Sequence, residues 1–390
     1  MTSVHNLGGL VSFRTGKLNS NAANPSGAYP FFTCSQETYR TDTYSFDTEC
    51  VLLAGNNANG IYPIKYFSGR FDAYQRTYVI ESLDKKVLLN RYLYYALQVQ
   101  LEHLRSISTG AATKFLTLTI LNGIEIKLPT LPRQEKIVYI LSAYDDLIEN
   151  NTQRIAIMEE MVRRIYSEWF VSFRFPGHEN VRTAESALGP LPEGWRRGSF
   201  GDVAKKKTER YTDSLHSSLP LIDLSRIPRR SNSLLGVGLS DEIKTSRLIF
   251  RQGEVLFGAI RPNFHKVLLA PFDGVSNVSV HIFENKGEFG PAFLFSTAFA
   301  DETVSWAIQH SGGMKMPTIN WDVLSEMPVL LPSNDVLARF EKCVTPLLQQ
   351  ITTLVRKNLN LRATRDLLLP KLISGELDVS ELPEPEATTP

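Results

Sequence analysis

An internal repeat constrains this chain more than any other feature of its 390 residues. Residues 108–129 align without a gap to residues 311–332, an offset of 203 positions, so that Gly110 meets Gly313 and Pro129 meets Pro332. Self-similarity of this kind indicates two copies of one structural unit. Because the chain is also too long for one ordinary hydrophobic core, we predict two or three domains.

A long heptad pattern follows each copy of the repeat. The first pattern runs from about residue 133 to residue 170 without an internal Pro or Gly, and the second keeps the same phase because the offset is a multiple of seven. Apolar positions sustained over four to five heptads predict a coiled coil. A helix of this length is about 57 Å long, too long to be buried in one small domain, so we predict that the two helices pair. The predicted seam comprises Ile137, Leu141, Tyr144, Ile148, Asn151, Ile155 and Met158 in the first helix, and Phe340, Val344, Leu347, Ile351, Leu354, Asn358 and Leu361 in the second.

Polar residues interrupt both helical patterns, and one proline lies near the start of the second. Asn151 and Asn358 occupy seam positions, where a polar side chain fixes the register at a cost in stability; alternatively they are tolerated beside a solvated stretch. Arg365 breaks the second seam, and Pro346 predicts either a later helix start or a kink. On the first helix, we expect the acidic pair at 159–160 to be exposed to solvent.

A β-rich segment precedes each helix. Residues 29–33, 49–54, 61–64 and 78–80 are β-rich runs bounded by turn signals. The second copy aligns piecewise, with Pro30 facing Pro220, Val51 facing Val255 and Tyr78 facing Val280, and apolar segments at 92–101 and 291–299 predict packing helices. The predicted fold class is α+β: two mixed α/β domains in a pseudo-twofold arrangement, separated by two long antiparallel coiled-coil helices.

Composition narrows the class of protein. The chain is 43% hydrophobic and 21% charged, the balance of a soluble globular protein. Three cysteines without paired spacing favour a reducing compartment and no disulfide framework. We find neither an export signal nor an apolar run near the roughly 18 residues of a membrane helix, and therefore expect a cytoplasmic protein with no membrane contact.

Catalytic and metal-binding motifs are missing from the sequence. There is no GxxxxGK[ST] phosphate loop, no GxGxxG after a strand, no HExxH and no CxxC pair, so we expect no catalytic residue, no metal site and no cofactor in this chain. The net charge of +1 neither supports nor excludes a nucleic-acid partner. Removing the acidic segment 378–390 leaves only a weak basic bias.

The predicted loops instead contain basic and amide side chains. Arg recognises guanine edges, Asn recognises adenine edges, and Lys mostly contacts phosphates. Each such residue is alternatively an ordinary solvated side chain, and the Asn-Gly pair at 59–60 is alternatively a plain turn. The candidate DNA-binding residues are Arg14, Lys17, Asn19, Asn56, Asn57, Asn59 and Lys114 in the first copy, and Lys205, Lys206, Arg229, Arg230, Arg261, Asn263, Lys266 and Lys315 in the second.

Two motifs support a family resemblance. Residues 128–137 (LPTLPRQEKI) resemble the segment that opens the central conserved helix of type I restriction-modification specificity subunits. Residues 366–378 (DLLLPKLISGELD) are similar to the segment that closes their distal helix, and the resemblance covers about residues 7–379. The start of the second helix, at residues 332–340, lacks the Gln-Glu-Lys form and departs from the family pattern.

The resemblance implies a non-catalytic specificity subunit. Each domain would recognise one half of a split double-stranded DNA target, and the helices would set the spacer and bind two methyltransferase subunits. Restriction and motor subunits would join, with S-adenosylmethionine, ATP and Mg on the partner subunits. The implied boundaries are target-recognition domain 1 at 1–131, a central helix at 132–175, a linker at 176–194, target-recognition domain 2 at 195–332, a distal helix at 333–376 and a disordered tail at 377–390.

Two other classes of protein remain as alternatives. The first is a coiled-coil scaffold whose mixed domains bind proteins. Its binding would depend weakly on salt, whereas phosphate contacts make DNA affinity fall steeply with salt. The second is a self-sufficient methyltransferase or nuclease, which the missing cofactor and metal motifs disfavour.

Overall fold

The protein divides into two compact units. The computed structural model describes residues 3–57, 62–108, 114–186, 189–212, 218–242 and 246–382. Unit 1 consists of residues 1–146 and 363–390, and unit 2 of residues 147–362. The division falls within both long helices, so that each helix contributes residues to both units.

A mixed sheet forms the centre of unit 1. The strands of this unit are β1 (Ser3–Asn6), β2 (Val11–Thr15), β3 (Tyr29–Phe32), β4 (Thr38–Thr41), β5 (Phe46–Ala54), β6 (Asn56–Asn57), β7 (Ile64–Ala73), β8 (Thr77–Ser82), β9 (Lys114–Phe115) and β10 (Glu125–Leu128). The sheet has the order β2-β8-β5-β7-β3-β4, and β3 is parallel to β7 while the other neighbours are antiparallel. Alternate β5 residues face two cores: Val51 and Leu53 face one, Cys50 and Leu52 the other.

Unit 2 repeats this sheet in two pieces. Its strands are β11 (Thr183–Ser186), β12 (Gly189–Pro192), β13 (Arg196–Ser199), β14 (Ala204–Lys207), β15 (Pro220–Leu221), β16 (Gly238–Leu239), β17 (Arg247–Phe250), β18 (Val255–Gly258), β19 (Val267–Leu269), β20 (Gly274–Asn277), β21 (Val280–Asn285) and β22 (Pro328–Leu331). Eight of them form two sheets, of order β14-β21-β18-β19 and β16-β15-β20-β17, and the others form the pairs β11-β12 and β13-β22. The β5–β7 pairing of unit 1 is interrupted here because residues 251–254 separate β17 from β18 and residues 270–273 separate β19 from β20.

Short helices cover the sheets, and two long helices complete the fold. The helices are α1 (Asn90–Val99), α2 (Leu101–Ile107), α3 (Leu118–Asn122), α4 (Leu131–Tyr166), α5 (Phe200–Val203), α6 (Pro291–Phe299), α7 (Asp301–Gln309), α8 (Trp321–Ser325) and α9 (Asn334–Ser374). A π-helical turn, Ser167–Val171, extends α4. Helix α9 continues through Pro346, so the later start considered from the sequence is wrong. None of the helices in the described residues is long and apolar enough to cross a membrane.

The two long helices are antiparallel within each unit. In unit 2, Asn151 contacts Asn358, and the Trp169 and Phe340 ring centroids are 5.7 Å apart. In unit 1, the start of α4 shares a core with the end of α9, through Ile137 and Leu372. All predicted seam side chains are buried or half-buried; the half-buried ones are Tyr144, Met158, Leu347 and Leu361.

Two polar layers interrupt the apolar seam. In unit 2, the amide of Asn358 accepts a 2.9 Å hydrogen bond from Asn151 and donates to the Ile148 carbonyl and the Thr152 hydroxyl, both at 3.2 Å. In unit 1, the Arg365 guanidinium lies 2.6 Å from the Asp145 carboxylate, which also accepts a 2.6 Å hydrogen bond from the Tyr95 hydroxyl. Each polar group is therefore satisfied, as buried amides and charges must be.

The structure confirms the predicted fold class and corrects several details. The strand predicted at 61–64 begins at Ile64 and continues to Ala73. The tail predicted to be disordered from 377 is packed at its start, since Val379 is buried in the unit 1 core; residues 383–390 lie outside the described residues. The segment predicted as a linker contains the β11–β12 hairpin.

One register correction concerns the alignment of the two copies. Val51 pairs with Ile80, and the equivalent Val255 pairs with Phe283. These pairs place Tyr78 opposite Leu53 and His281 opposite Phe257, so the counterpart of Tyr78 is His281 and the predicted Val280 is wrong by one residue. The predicted match of Pro30 with Pro220 is confirmed, because Phe31 and Leu221 make equivalent parallel pairs with Asp72 and Val275.

We expect the Asn layer to stabilise unit 2 measurably. Asn358→Ala removes three hydrogen bonds and leaves the Asn151 amide buried without its partner, so the free energy of unfolding should fall by about 1–3 kcal/mol. Chemical denaturation followed by circular dichroism measures this change. Asn360→Ala, on the exposed side of the same helix, is the matched control. Equal stability of the two variants would contradict the assignment.

Candidate nucleic-acid interface

The same set of three hydrogen bonds, which we call the frame, joins loops at the ends of central sheet strands in each unit. In unit 1, the Gly55 N–H donates to the Arg76 carbonyl (2.8 Å), the Leu116 N–H donates to the Gly55 carbonyl (2.9 Å), and the Tyr78 hydroxyl donates to the Leu116 carbonyl (2.8 Å). This frame brings three loops together: the one after β5, the β7–β8 turn and the segment before α3.

Unit 2 repeats this frame with other residues. The Ala259 N–H donates to the Ser279 carbonyl and the Ile319 N–H donates to the Ala259 carbonyl, each at 2.9 Å. The His281 Nε2 lies 2.9 Å from the Ile319 carbonyl and takes the place of the Tyr78 hydroxyl. Three hydrogen bonds are thus conserved between the copies although the residues differ. The sequence analysis predicted the loops that follow β5 and β18 and the segments that contain Lys114 and Lys315, but not the β7–β8 and β20–β21 turns.

In unit 1, three of the predicted DNA-binding residues lie close together next to this frame. Asn56 and Asn57 form β6, which pairs with Lys114 and Phe115 of β9. The Asn56 side-chain Oδ1 accepts a 3.0 Å hydrogen bond from the Cys34 thiol. Asn59 lies outside the described residues.

Lys17 and Asn19 are exposed on a neighbouring loop, which is held against the β7–β8 turn. The Gln75 N–H donates to the Leu18 carbonyl at 3.0 Å. Gly16 permits this approach, because a Cβ atom at that position would lie 1.8 Å from the Ala73 carbonyl oxygen.

Arg14 does not join these residues. It lies on β2, where its guanidinium is paired with Glu81 and lies 5.0 Å from the Phe46 ring centroid.

Arg76 belongs to this loop group although the sequence analysis did not select it. It is exposed in the β7–β8 turn, 5.5 Å from the Phe115 ring centroid, and its carbonyl is part of the frame. The sequence pattern that could have identified Arg76 is a basic residue in a short turn between two β-rich runs.

Three loops also converge in unit 2. The Arg229 guanidinium lies 4.1 Å from the Phe264 ring centroid, and the Arg230 N–H donates to the His265 carbonyl at 3.0 Å. The Arg261 N–H donates to the Pro317 carbonyl at 2.7 Å, which joins this group to the hairpin that contains Lys315. Arg229, Arg261, Asn263 and Lys315 are all exposed. We call these residues together with Arg230 the unit 2 basic cluster.

The remaining predicted lysines of unit 2 are engaged elsewhere. Lys266 is half-buried, its ammonium donates to the Leu224 carbonyl at 2.6 Å, and burial lowers its pKa. Lys205 and Lys206 lie on β14, and the Lys205 ammonium is 2.7 Å from the Glu284 carboxylate. The basic cluster therefore consists mainly of arginines and does not include the β14 lysines.

The backbone beneath the basic cluster is strained. Arg230, Arg261 and His265 have φ values of 52°, 52° and 49°, in the left-handed region that non-glycine residues rarely adopt. Each such residue costs on the order of 1–3 kcal/mol and persists only where surrounding contacts hold it. The His265 side chain provides one of these contacts, because it is buried with its Nε2 2.9 Å from the Phe299 carbonyl.

A buried carboxylate joins helix α4 to this region. Glu159 is 5% exposed, so the expectation that it faces solvent is wrong, whereas Glu160 pairs with Arg163 and Arg164 at the surface. Glu159 accepts hydrogen bonds from the backbone and side-chain amides of Asn232, and the Asn232 Oδ1 accepts a hydrogen bond from the Leu269 N–H at 2.8 Å. Burial raises the pKa of Glu159. The carboxylate thereby ties the helix to strand β19.

Several known proteins are similar to this chain in sequence. Residues 3–160 match the family model described as the type I restriction modification DNA specificity domain. The chain is 27% identical over 86% of its length to the type I restriction enzyme EcoDI specificity subunit of Escherichia coli, of which it covers 80%. It is 23% identical over 77% of its length to the MjaIX specificity subunit of Methanocaldococcus jannaschii, of which it covers 72%. Residues 3–160 therefore match a type I DNA specificity domain, and the chain is similar over most of its length to type I restriction specificity subunits.

A solved structure supports the same fold. The S subunit of a type I restriction-modification system from M. genitalium matches with a TM-score of 0.60 and 17% identity, over 97% of each chain. At this identity the likeness establishes the fold alone. It confirms the arrangement of mixed α/β units with long helices that the sequence predicts for a specificity subunit.

The frame itself has a measurable pH dependence. Burial lowers the pKa of His281 from 6.5 to about 4, so the unfolded chain takes up a proton between pH 6.5 and 4 while the folded protein does not. The contribution of His281 to stability is therefore present above pH 6.5 and is lost as the pH falls through this window, by about 2 kcal/mol at pH 5.

We expect His281→Gln to weaken this dependence, because Gln does not titrate and can still donate to the Ile319 carbonyl. The measurement is urea unfolding at pH 7 and pH 5. His310→Gln, at an exposed position, is the control and should keep the wild-type dependence. Identical pH dependence in wild type and His281→Gln would refute the role of His281.

Proposed function

We propose that this chain is the DNA sequence-specificity subunit of a type I restriction-modification complex. Each unit recognises one half of a bipartite double-stranded DNA target, and the paired helices α4 and α9 set the spacer. The main support is that one hydrogen-bond frame is built twice and presents different loop side chains each time. A common scaffold with different loops suits the recognition of two different half-sites.

The loop chemistry suits DNA. Unit 1 offers Asn56, Asn57 and Lys114, and unit 2 offers Arg229, Arg261 and Asn263. Asn pairs bidentately with adenine and Arg with guanine in the major groove, while Lys and other Arg side chains contact phosphates. For the candidate residues outside these groups, including Arg14, Lys205 and Lys206, contact with phosphates remains the proposal.

We further propose that partner subunits supply the chemistry. In this proposal two methyltransferase subunits bind the helices and use S-adenosylmethionine, and restriction and motor subunits use ATP and Mg; this chain is non-catalytic. Apolar side chains exposed on the unit 2 part of α4 favour such docking: Leu147, Ile157 and Met161 are 54%, 61% and 45% exposed. The proposed domain boundaries are those given in the sequence analysis, except that the tail is packed against unit 1 at its start, where Val379 is buried.

The deciding experiment is methylation mapping. The chain is co-expressed with the methyltransferase subunit encoded beside it, the complex is purified, and methylated adenines are mapped in DNA. A single split motif with a fixed gap is the expected result. Assembly without sequence-specific methylation, together with protein binding that is insensitive to salt, would instead favour the scaffold alternative.

Arg261→Gly separates recognition from folding. Glycine adopts the left-handed backbone at this position without strain, so stability should be unchanged or slightly higher, while the guanidinium is lost. We expect relaxed recognition in one half-site only, with discrimination there falling by roughly 10-fold to 100-fold. Mapped methylation motifs measure this effect.

The matched control is Arg251→Ala, an exposed arginine at the opposite end of β18. It should leave both half-sites unchanged. Equal losses at both half-sites in Arg261→Gly would assign the residue to phosphate contact or folding instead.

The spacer proposal predicts an effect of helix length. One heptad is inserted next to Asn151 in α4 and one next to Asn358 in α9, so that the pairing of the Asn layer is kept. Each insertion adds about 10 Å to its helix, so the accepted gap should change while the recognised bases stay the same. A seven-residue insertion within segment 176–182 is the control and should leave the gap unaltered. An unchanged gap in the heptad variant would refute the role of the helices as a spacer.

A further inference from the structure

A hairpin in unit 2 presents apolar side chains to solvent. At residues 311–318, Met314 is fully exposed (104%) and Met316 is 60% exposed, with Lys315 exposed between them. Exposure of two thioether side chains to water is unfavourable, and these side chains do not contribute to the core of unit 2. The hairpin tip therefore has the composition of a contact surface.

The tip is held firmly by its own backbone. Gly312 and Thr318 exchange hydrogen bonds: the Gly312 N–H donates at 3.0 Å and the Thr318 N–H at 2.8 Å. The Thr318 hydroxyl donates to the Met316 carbonyl at 3.0 Å, and Gly313 takes a φ of 99° that permits the turn. The following Ile319 is fully buried. A tip with this support presents Met314 in a defined position.

The same hairpin is joined to the basic cluster. The Arg261 N–H donates to the Pro317 carbonyl at 2.7 Å, and Ile260 forms a bridge with Thr318. The hairpin that contains Met314 and Lys315 is therefore joined through Pro317 and Thr318 to the loop that contains Arg261, and the described tip residues include no acidic side chain. The surrounding positive charge favours a polyanion as the occupant.

Double-stranded DNA is a polyanion that also has an apolar group in its major groove. That group is the C5-methyl of thymine, which apolar side chains contact directly. We propose that Met314 packs against the methyl group of a thymine in the half-site recognised by unit 2, with Lys315 on an adjacent phosphate. This inference rests on the proposed function and adds a specificity-determining residue to it.

The test removes the methyl group alone. After the half-site has been mapped, each thymine is replaced singly by uracil, and the affinity of the assembled methyltransferase complex is measured by fluorescence anisotropy. With the wild-type subunit, one thymine-to-uracil replacement should weaken binding about fourfold, the effect of one buried CH₂-sized group. With Met314→Ala, the same replacement should have no effect.

Two control variants sharpen the result. Met314→Leu keeps an apolar side chain and should keep part of the methyl effect. Lys315→Ala should lower the slope of log affinity against log salt by about one and leave the thymine-to-uracil response intact. Thermal unfolding should be equal for wild type and Met314→Ala, since the side chain is exposed.

The outcomes separate the two proposals. A wild-type complex that shows no sequence-specific DNA binding would count against the proposed function. Specific binding with the same uracil response in wild type and Met314→Ala would overturn only the methionine contact, as would a unit 2 half-site without thymine. A rise in 2-aminopurine fluorescence that depends on Met314, without any methyl effect, would overturn it in favour of a wedge between bases.

Discussion

The buried hydrogen bond between Asn151 and Asn358 constrains most of the molecule. The apolar side chains of the helix pair would tolerate a shift of one heptad, because they recur every seven residues. The amides would not, since such a shift would place Asn151 opposite Ile351 or Arg365 and leave buried polar groups unpaired. The Asp145–Arg365 ion pair, with the Tyr95 hydroxyl, has the same effect in unit 1. Polar layers thus select one antiparallel register from several of similar apolar burial.

The position of the unit 2 sheet follows from that register. Phe170 at the end of α4 packs against Phe340, with ring centroids 4.7 Å apart, and Glu159 connects the helix through Asn232 to β19. A buried carboxylate is costly unless its lone pairs are satisfied, and here they receive both backbone and side-chain donors. The helix therefore supports the strands, and the strands support the basic cluster.

The two copies share backbone hydrogen bonds but differ in the side chains of their loops. The frame that joins Gly55, Arg76 and Leu116 recurs as Ala259, Ser279 and Ile319, and backbone groups make most of its bonds. Backbone hydrogen bonds do not depend on side-chain identity, so the loops can diverge while the frame persists. The strained residues Arg230, Arg261 and His265 lie in the unit 2 loops, where the proposed recognition takes place, and one further non-glycine residue with positive φ, Phe173, lies after helix α4.

The sequence by itself determined the repeat, both long helices and their apolar seam, because heptad periodicity is a local property that survives divergence. It also matched Pro30 with Pro220. Only the tertiary structure decided that Glu159 is buried, that His281 replaces Tyr78, that the unit 2 sheet is split and that Arg76 joins the unit 1 loops. These features depend on hydrogen bonds between residues distant in sequence and on insertions that shift a strand by one position. A shift of one residue reverses the face of every strand side chain, and no local pattern records it.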